Sequence, residues 1–172
     1  GAEIHRFTPV IGTEQNSDGT WNIRTEKGDI HTEWVVNAAG LWGREVGRMA
    51  DVNLPLQPTE HQYFVTDTIN EIKNLKNRLP SVADRDGEYY LRQEGKGLLI
   101  GAYEKNYKLW AEGETPKDFG HDLFDDDLER IEENVLRAID RVPIAGSAGI
   151  KRVINGPMIW SPDSNVLFGP IP

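Results

Sequence analysis

The chain has 172 residues, of which 38% are hydrophobic and 27% are charged, a composition typical of a globular protein. It has no cysteine, which excludes disulfides, thiolate metal ligands and cysteine nucleophiles. A net charge of −9 argues against nucleic acid as a partner, because phosphates require a basic surface. No apolar run approaches the roughly 18–20 residues of a membrane span, and nothing at the N-terminus resembles a signal peptide.

The two ends of the sequence favour a segment of a longer protein. The chain begins with Gly1 rather than methionine, and it closes on Phe168-Gly169-Pro170-Ile171 directly after an apolar run. Neither end has the pattern of a natural domain boundary. A processed mature protein is the alternative interpretation.

The first residues predict a β-meander. Strands are expected over Ala2–Val10, over Trp21–Thr25, where apolar and polar side chains alternate, and from Ile30 onward. Turn signals at Ser17-Asp18-Gly19 and Lys27-Gly28-Asp29 separate the three strands.

A strand, a turn and a helix are predicted next, in the order that a nucleotide-binding α/β layer requires. Trp34–Val36 predicts a buried strand, and Asn37–Gly40 predicts a turn of small residues. Trp42, Val46 and Met49 then recur at helical spacing. Small residues let the backbone approach a ligand closely, and a helix N-terminus favours anionic groups.

The rest of the chain predicts an antiparallel sheet with one main helix. A hairpin is expected where two strands flank Gly95-Lys96-Gly97, and a turn is expected at Asn155-Gly156-Pro157. The predicted strands are Glu60–Thr66, Leu79–Ala83, Tyr89–Glu94, Leu98–Ala102, Lys151–Ile154 and Met158–Trp160, with a further strand-like run at Val166–Phe168.

The main helix is predicted over residues 126–140. Asp126 and Glu129 have the spacing of a capping box, with Asp in place of Ser or Thr. The acid-rich run around the start of this helix indicates a solvated face, and a metal or partner site is the alternative. The predicted buried stripe consists of Leu128, Ile131, Val135 and Ile139.

Several motifs together resemble the dimethylglycine and sarcosine dehydrogenase family, within the D-amino-acid-oxidase-like FAD-dependent oxidoreductases. Val35-Val36-Asn37-Ala38-Ala39-Gly40-Leu41-Trp42 looks like a late strand and turn of the FAD domain. The order of the other motifs resembles the dimethylglycine and sarcosine branch: His61-Gln62-Tyr63, Tyr89-Tyr90-Leu91-Arg92, Asn155-Gly156-Pro157 and Ser161-Pro162-Asp163.

The resemblance implies an α+β fold with two parts. Residues 1–51 would be the C-terminal tail of an FAD-binding Rossmann-like domain of the glutathione-reductase type, and residues 52–172 would be an antiparallel-sheet substrate domain truncated at its C-terminus. The sequence has no Gly-x-Gly-x-x-Gly loop, lacks the early histidine that carries covalent FAD in many relatives, and stops before the glycine-rich segment that closes over the flavin. We therefore expect the isolated chain not to turn over.

The resemblance assigns catalytic positions to His61 and Tyr89. Oxidation of an amine by hydride transfer needs the nitrogen lone pair, and a histidine can accept or exclude that proton near neutral pH. A tyrosine hydroxyl can bind the substrate or orient the histidine. Strand alternation sends Tyr89 and Tyr90 to opposite faces, so that one of them should reach the site. From the residues alone, a histidine at the start of a strand, such as His61, is more often a plain polar residue, and either tyrosine could be a packed aromatic of the sheet.

Binding residues are expected on both parts of the chain. Tyr63 shares a face with His61 and is a candidate substrate contact, and Arg92, with Arg85 as a second candidate, could meet a substrate carboxylate. The four histidines show no metal-ligand spacing, so no metal site is expected. For FAD, the resemblance implies contacts by Val10, Ala38, Ala39, Gly40 and Trp42.

The predicted activity of the full-length protein is oxidation of dimethylglycine, sarcosine or a similar amine, a CH–NH donor, to an iminium. Its electron acceptor would be oxygen or an electron-transfer flavoprotein, and relatives with a C-terminal folate domain, absent here, pass the one-carbon unit to tetrahydrofolate. The location would be a bacterial cytoplasm or a mitochondrial matrix. The alternatives are a related FAD-dependent oxidase acting on an amino acid or glycerol phosphate, and a non-catalytic module that has lost the flavin.

Overall fold

A computed structural model describes residues 1–171 and has a mixed α and β fold with antiparallel sheets and few helices. The chain forms two compact units. Unit 1 comprises Gly1–Gln57, Gly113–Thr115 and the chain from Ile159 onward, and unit 2 comprises Pro58–Glu112 and Pro116–Met158. The predicted roles of the two parts stay predictions, because compactness alone does not assign a role to a domain.

Unit 1 contains the predicted β-meander. Its three strands pair antiparallel in the order β1-β2-β3, and a short 3-10 helix at Gly40–Trp42 leads into the first α-helix. The elements are β1 (Val10–Gln15), β2 (Trp21–Thr25), β3 (Gly28–Thr32) and α1 (Gly43–Met49).

Two strand predictions in unit 1 are wrong. Residues 2–9 form no strand, and the first strand begins at Val10. Trp34–Val36 also forms no strand, and its side chains are not buried, since Trp34 is 76% and Val36 is 84% exposed. A buried strand needs hydrogen-bonded neighbours, and among residues 1–171 no strand pairs with this segment.

Unit 2 is built on a five-stranded sheet with the strand order β5-β6-β7-β4-β8. The predicted hairpin is confirmed, since β6 and β7 pair from Tyr89↔Ala102 to Glu94↔Gly97, and Gly95 has the positive φ of +58° that the tight turn needs. The elements are β4 (Gln57–Thr66), α2 (Asn70–Lys73), β5 (Val82–Asp84), β6 (Tyr89–Glu94), β7 (Gly97–Ala102), α3 (Leu128–Arg141), a 3-10 helix (Pro143–Ser147) and β8 (Ile150–Trp160).

The core of unit 2 lies between α3 and one face of the sheet. The predicted stripe of α3 is confirmed: Ile131 is fully buried, and the other three members pack against the same cluster. From the sheet, Phe64, Tyr89, Leu91, Leu98, Ile100 and Ala102 contribute to the cluster. Within residues 1–171, no helix has the length and apolar character needed to cross a bilayer.

The start of α3 differs from the predicted capping box. The helix begins at Leu128, and neither Asp126 nor Asp127 caps it with a side-chain hydrogen bond. Instead, the fully buried side chain of Gln62 accepts a hydrogen bond from the Asp127 N–H at 3.2 Å and donates one to the Asp127 carbonyl. A buried amide therefore fixes the helix start to β4.

The predicted turn at Asn155-Gly156-Pro157 is absent, because β8 runs through it. The Asn155 side chain is fully buried and donates to the Glu60 carboxylate at 3.2 Å and to the Asp125 carbonyl at 2.8 Å. These partners, distant in sequence, hold the segment extended. Pro157 is tolerated because β8 lies at an edge of the sheet.

Two further strand predictions differ from the structure. The strand expected over Leu79–Ala83 shortens to Val82–Asp84. Val166–Phe168 forms no strand, and its first and last side chains are 88% and 98% exposed.

Replacing Gln62 with Ala tests the link between β4 and α3. We expect a loss of about 1–3 kcal/mol in the free energy of unfolding, because the Asp127 N–H and carbonyl lose their partner at a buried position. Urea denaturation followed by circular dichroism measures this change. Gln15→Ala, at an exposed position of β1, is the matched control and should change stability by less than about 0.5 kcal/mol. Equal effects of the two substitutions would contradict the role given to Gln62.

Candidate active site

The face of the sheet opposite α3 carries a row of aromatic side chains. Tyr63 of β4 and Tyr90 of β6 both pair with Gly101 of β7, so the two tyrosines share this face. His61 of β4 and Tyr103, which directly follows β7, join them through ring contacts. We call His61, Tyr63, Tyr90 and Tyr103 the aromatic row.

Gly101 makes the row possible. A Cβ atom at this position would lie 2.1 Å from Cζ of Tyr90, which is far inside van der Waals contact. The phenol ring of Tyr90 therefore lies across the bare backbone of β7 and reaches toward β4. A side chain at position 101 would displace it.

The His61 imidazole lies beside two tyrosines, Tyr103 and Tyr90. Its ring stacks on Tyr103 with centroids 5.1 Å apart and planes 25° apart, and its Nε2 is 3.5 Å from the Tyr90 hydroxyl, at the outer limit of a hydrogen bond. Burial lowers the pKa of His61 below its ordinary 6.5, and the positive charge of Arg130 lowers it further. The imidazole is thus neutral at pH 7 and can accept a proton or a hydrogen bond.

The Tyr90 hydroxyl is a proton donor at any physiological pH. Burial, with the neighbouring Tyr103 and Tyr63, raises the pKa of Tyr90 to about 12. The hydroxyl therefore remains protonated and can donate to a neutral imidazole or to a ligand atom.

Tyr89, the tyrosine that the resemblance selected, lies on the other face. Its side chain is 2% exposed and belongs to the core beneath α3. Burial, followed by the nearby Asp84 carboxylate, raises its pKa. The structure therefore does not bring Tyr89 and His61 together, and the tyrosine beside His61 is Tyr90, because adjacent strand residues point to opposite faces.

Sequence reasoning also missed Tyr103. It follows the last predicted strand residue by one position, and its ring contacts both His61 and Tyr90, the latter at a centroid distance of 5.5 Å. The sequence contained one indication: Tyr103 lies two residues after Gly101, so strand alternation places both on the same face.

The two candidate arginines differ in position. Arg92 is on the same face as the aromatic row, since it lies two residues after Tyr90 on β6, and its Nη1 is 2.6 Å from the Glu94 carboxylate. Its side chain is 39% exposed, so it keeps room for an anion, although Glu94 neutralises part of its charge. Arg85 is an exposed residue of the loop between β5 and β6.

The predicted cofactor residues lie in unit 1. Asn37 shapes the turn: its Oδ1 accepts from the Ala39 N–H at 3.2 Å and its Nδ2 donates to the Gly43 carbonyl at 2.8 Å. Gly40 has a φ of +54°, and no atom lies within 4 Å of the place where a Cβ would be. The turn thus leaves open surface above a backbone made of small residues.

The other three cofactor positions, Ala38, Trp42 and Val10, are at least partly accessible. Ala38 is exposed, Trp42 is half-buried, and Val10 is 39% exposed at the start of β1. These features fit a dinucleotide that approaches the main chain closely. Among residues 1–171, no group of three or more histidine or carboxylate side chains could hold a metal ion.

Comparison with known proteins supports the resemblance. The chain is 45% identical to the mitochondrial dimethylglycine dehydrogenase of Homo sapiens over 99% of its own length and 20% of that protein. It is 38% identical to the mitochondrial sarcosine dehydrogenase of Homo sapiens over 100% of its own length and 19% of that protein. The chain therefore spans about a fifth of the length of these relatives.

A solved structure has a similar fold. The L-proline dehydrogenase from P. horikoshii matches this fold with a TM-score of 0.71 and 27% sequence identity, over 96% of this chain and 41% of that one. The family described as DAO, FAD dependent oxidoreductase, matches residues 1–172. The chain accordingly belongs to the DAO family of FAD-dependent oxidoreductases.

Proposed function

We propose that the chain is the amine-binding part of an FAD-dependent enzyme that oxidises an N-methylated glycine, dimethylglycine or sarcosine, to an iminium. The observation that carries this proposal is the aromatic row, in which a neutral imidazole and a protonated phenol lie side by side on a sheet face that α3 does not cover. The names of the relatives, dimethylglycine dehydrogenase and sarcosine dehydrogenase, supply the substrate class.

The residues of the row have separate tasks in this mechanism. Neutral His61 accepts the ammonium proton or keeps it away, so that the substrate nitrogen has its lone pair available. The Tyr90 hydroxyl donates to the imidazole or to the substrate and fixes the orientation of the pair. Arg92 receives the substrate carboxylate, and Tyr63 and Tyr103 form an aromatic wall around the methylated nitrogen.

The cofactor contributes the redox chemistry. Bound FAD would accept two electrons and a hydrogen nucleus, as hydride, from the carbon attached to the nitrogen. The products would be an iminium and, after its hydrolysis by water, formaldehyde and the demethylated amine. Ala38, Ala39 and Gly40 would hold the dinucleotide through their backbone, with Trp42 behind it and Val10 at the adenine end.

Other parts of the proposal concern the longer protein. The electron acceptor would be oxygen or an electron-transfer flavoprotein, and a folate domain would pass the one-carbon unit to tetrahydrofolate. Residues 1–51 would be the end of a Rossmann-like FAD domain and residues 52–172 the start of the substrate domain. Since the relatives are named as mitochondrial, the mitochondrial matrix is the proposed location, and a bacterial cytoplasm is the alternative.

Flavin retention by the isolated chain is the first test. We expect no visible flavin absorption after the chain is incubated with FAD and desalted, because the chain has no Gly-x-Gly-x-x-Gly loop to hold the pyrophosphate. Titration of the same chain with dimethylglycine, followed by NMR of the histidine and tyrosine rings, should still shift the signals of the aromatic row. No shift at high amine concentration would favour a non-catalytic module.

Two adjacent tyrosines make a matched pair of variants. In a flavin-loaded protein that contains this chain, Tyr90→Phe should lower kcat/KM for dimethylglycine about five- to tenfold, the value of one neutral hydrogen bond. Tyr89→Phe removes the same atom from the opposite face and should leave kcat/KM within about twofold of the wild type. The reverse order of effects would support the assignment of Tyr89 from sequence and overturn that of Tyr90.

The pH dependence of the rate follows from the pKa of His61. Because that pKa is lowered in the unliganded chain, the imidazole stays neutral down to a pH below 6.5, and kcat/KM should fall about tenfold per pH unit only below that value. His61→Gln should lower kcat by about 10²- to 10⁴-fold and remove this acid limb. An acid limb that persists unchanged in His61→Gln would assign the titration to another group.

A further inference from the structure

A buried ion network lies on the sheet face opposite the aromatic row, at the start of α3. Its centre is the Arg130 guanidinium, whose side chain is 8% exposed. The guanidinium is 3.4 Å from the Glu60 carboxylate, 3.3 Å from that of Glu104 and 3.5 Å from that of Asp127. Lys108 adds a second cation at 2.8 Å from Glu60.

Two of these carboxylates are the direct sequence neighbours of the stacked pair. Glu60 precedes His61, and Glu104 follows Tyr103. Since adjacent residues of an extended chain point to opposite faces, each carboxylate lies behind the ring of its neighbour. The Arg130 guanidinium thus pairs with the sequence neighbours of both stacked residues, with Glu60 beside His61 and with Glu104 beside Tyr103.

The network has the chemistry of a fixed connection. The Arg130 guanidinium meets three carboxylates at once through ion pairs at 3.3–3.5 Å, although none of its nitrogens has the geometry of a hydrogen bond. The compact ammonium of a lysine would not reach all three carboxylates from the same backbone position. Burial opposes the charge of Glu60, but the bonds from Lys108 and Asn155, together with the positive charges of Lys108 and Arg130, keep the pKa of Glu60 below its ordinary value. Burial raises the pKa of Glu104. Removing the cation would leave buried carboxylates uncompensated, which is costly.

We propose that Arg130 is a positioning residue: its ion pairs with Glu60 and Glu104 hold the backbone of β4 and of the segment after β7 so that His61 and Tyr103 stay stacked. Its importance for amine oxidation rests on the proposed function, but the positioning itself does not.

The charges around His61 agree with this assignment. From the sheet, the rings of Tyr90 and Tyr103 contact the imidazole, and Tyr63 lies on the same face of β4. From α3, Arg130 is the cation that lowers the pKa of His61. The carboxylates of Glu60, Glu104 and Asp127, together with Lys108, complete the charged groups behind the ring.

Two substitutions separate the charge of Arg130 from its geometry. Arg130→Lys keeps the cation, so the pH titration of His61 should stay low, while the nuclear Overhauser effects between the His61 and Tyr103 rings should weaken. Arg130→Met removes both, so the rings should separate and the titration midpoint of His61 should rise, because the smaller of the two causes of its lowered pKa is lost while burial still contributes. Both signals can be followed in the 172-residue chain without flavin, with His61 assigned by its loss in His61→Gln.

Arg137→Met is the matched control. Arg137 lies on the same helix, pairs with Glu133 and has a side chain that is 41% exposed, so neither signal should change. Ring contacts that stay at full strength in Arg130→Lys would overturn the proposal, whatever Arg130→Met shows. If Arg130→Met does not fold, Arg130→Lys decides alone: weakened contacts support positioning and full contacts exclude it. These experiments measure no turnover. A negative result for Arg130 would therefore not contradict the proposed amine oxidation, and a lack of amine oxidation would not contradict the positioning role of Arg130.

Discussion

The packing of α3 against one face of the five-stranded sheet is the constraint on which unit 2 depends. A strand presents alternate residues to its two faces, so the choice of the face that α3 covers decides the role of every residue on β4, β6 and β7. Phe64, Tyr89 and Ile100 become core. His61 and Tyr90 are left on the opposite face, where they meet each other. Core and candidate site are thus two results of the same packing event.

Electrostatics reinforces this division between the faces. Charged groups collect on the α3 side, at the start of the helix, where Arg130 meets three carboxylates. On the other side, burial lowers the pKa of His61 and raises the pKa of Tyr90 to about 12, so burial favours the uncharged form of both groups. A neutral, half-buried surface suits an amine that must give up its proton before it reacts, because burial disfavours the charged form.

The features that were predictable from sequence are those fixed by local patterns. The hairpin around Gly95 and the buried stripe of α3 depend on nearby residues, and both predictions are confirmed. Two other predictions were wrong. Asn155 forms no turn, because its side chain bonds to partners distant in sequence that hold the segment extended. Trp34–Val36 forms no strand, because among residues 1–171 no strand pairs with it. For the site, alternation limited the choice to one of the paired tyrosines, but only the position of α3 shows which of them lies beside His61.

At Gly101 the aromatic row lies against main chain that carries no side chain. The Tyr90 ring packs directly on this main chain, so the ring cannot move closer to β7. The Tyr90 ring occupies the space directly above Gly101, so a methyl group at position 101 would push this ring away from β7. The absence of a side chain at this one position therefore sets the height of the Tyr90 hydroxyl above the sheet.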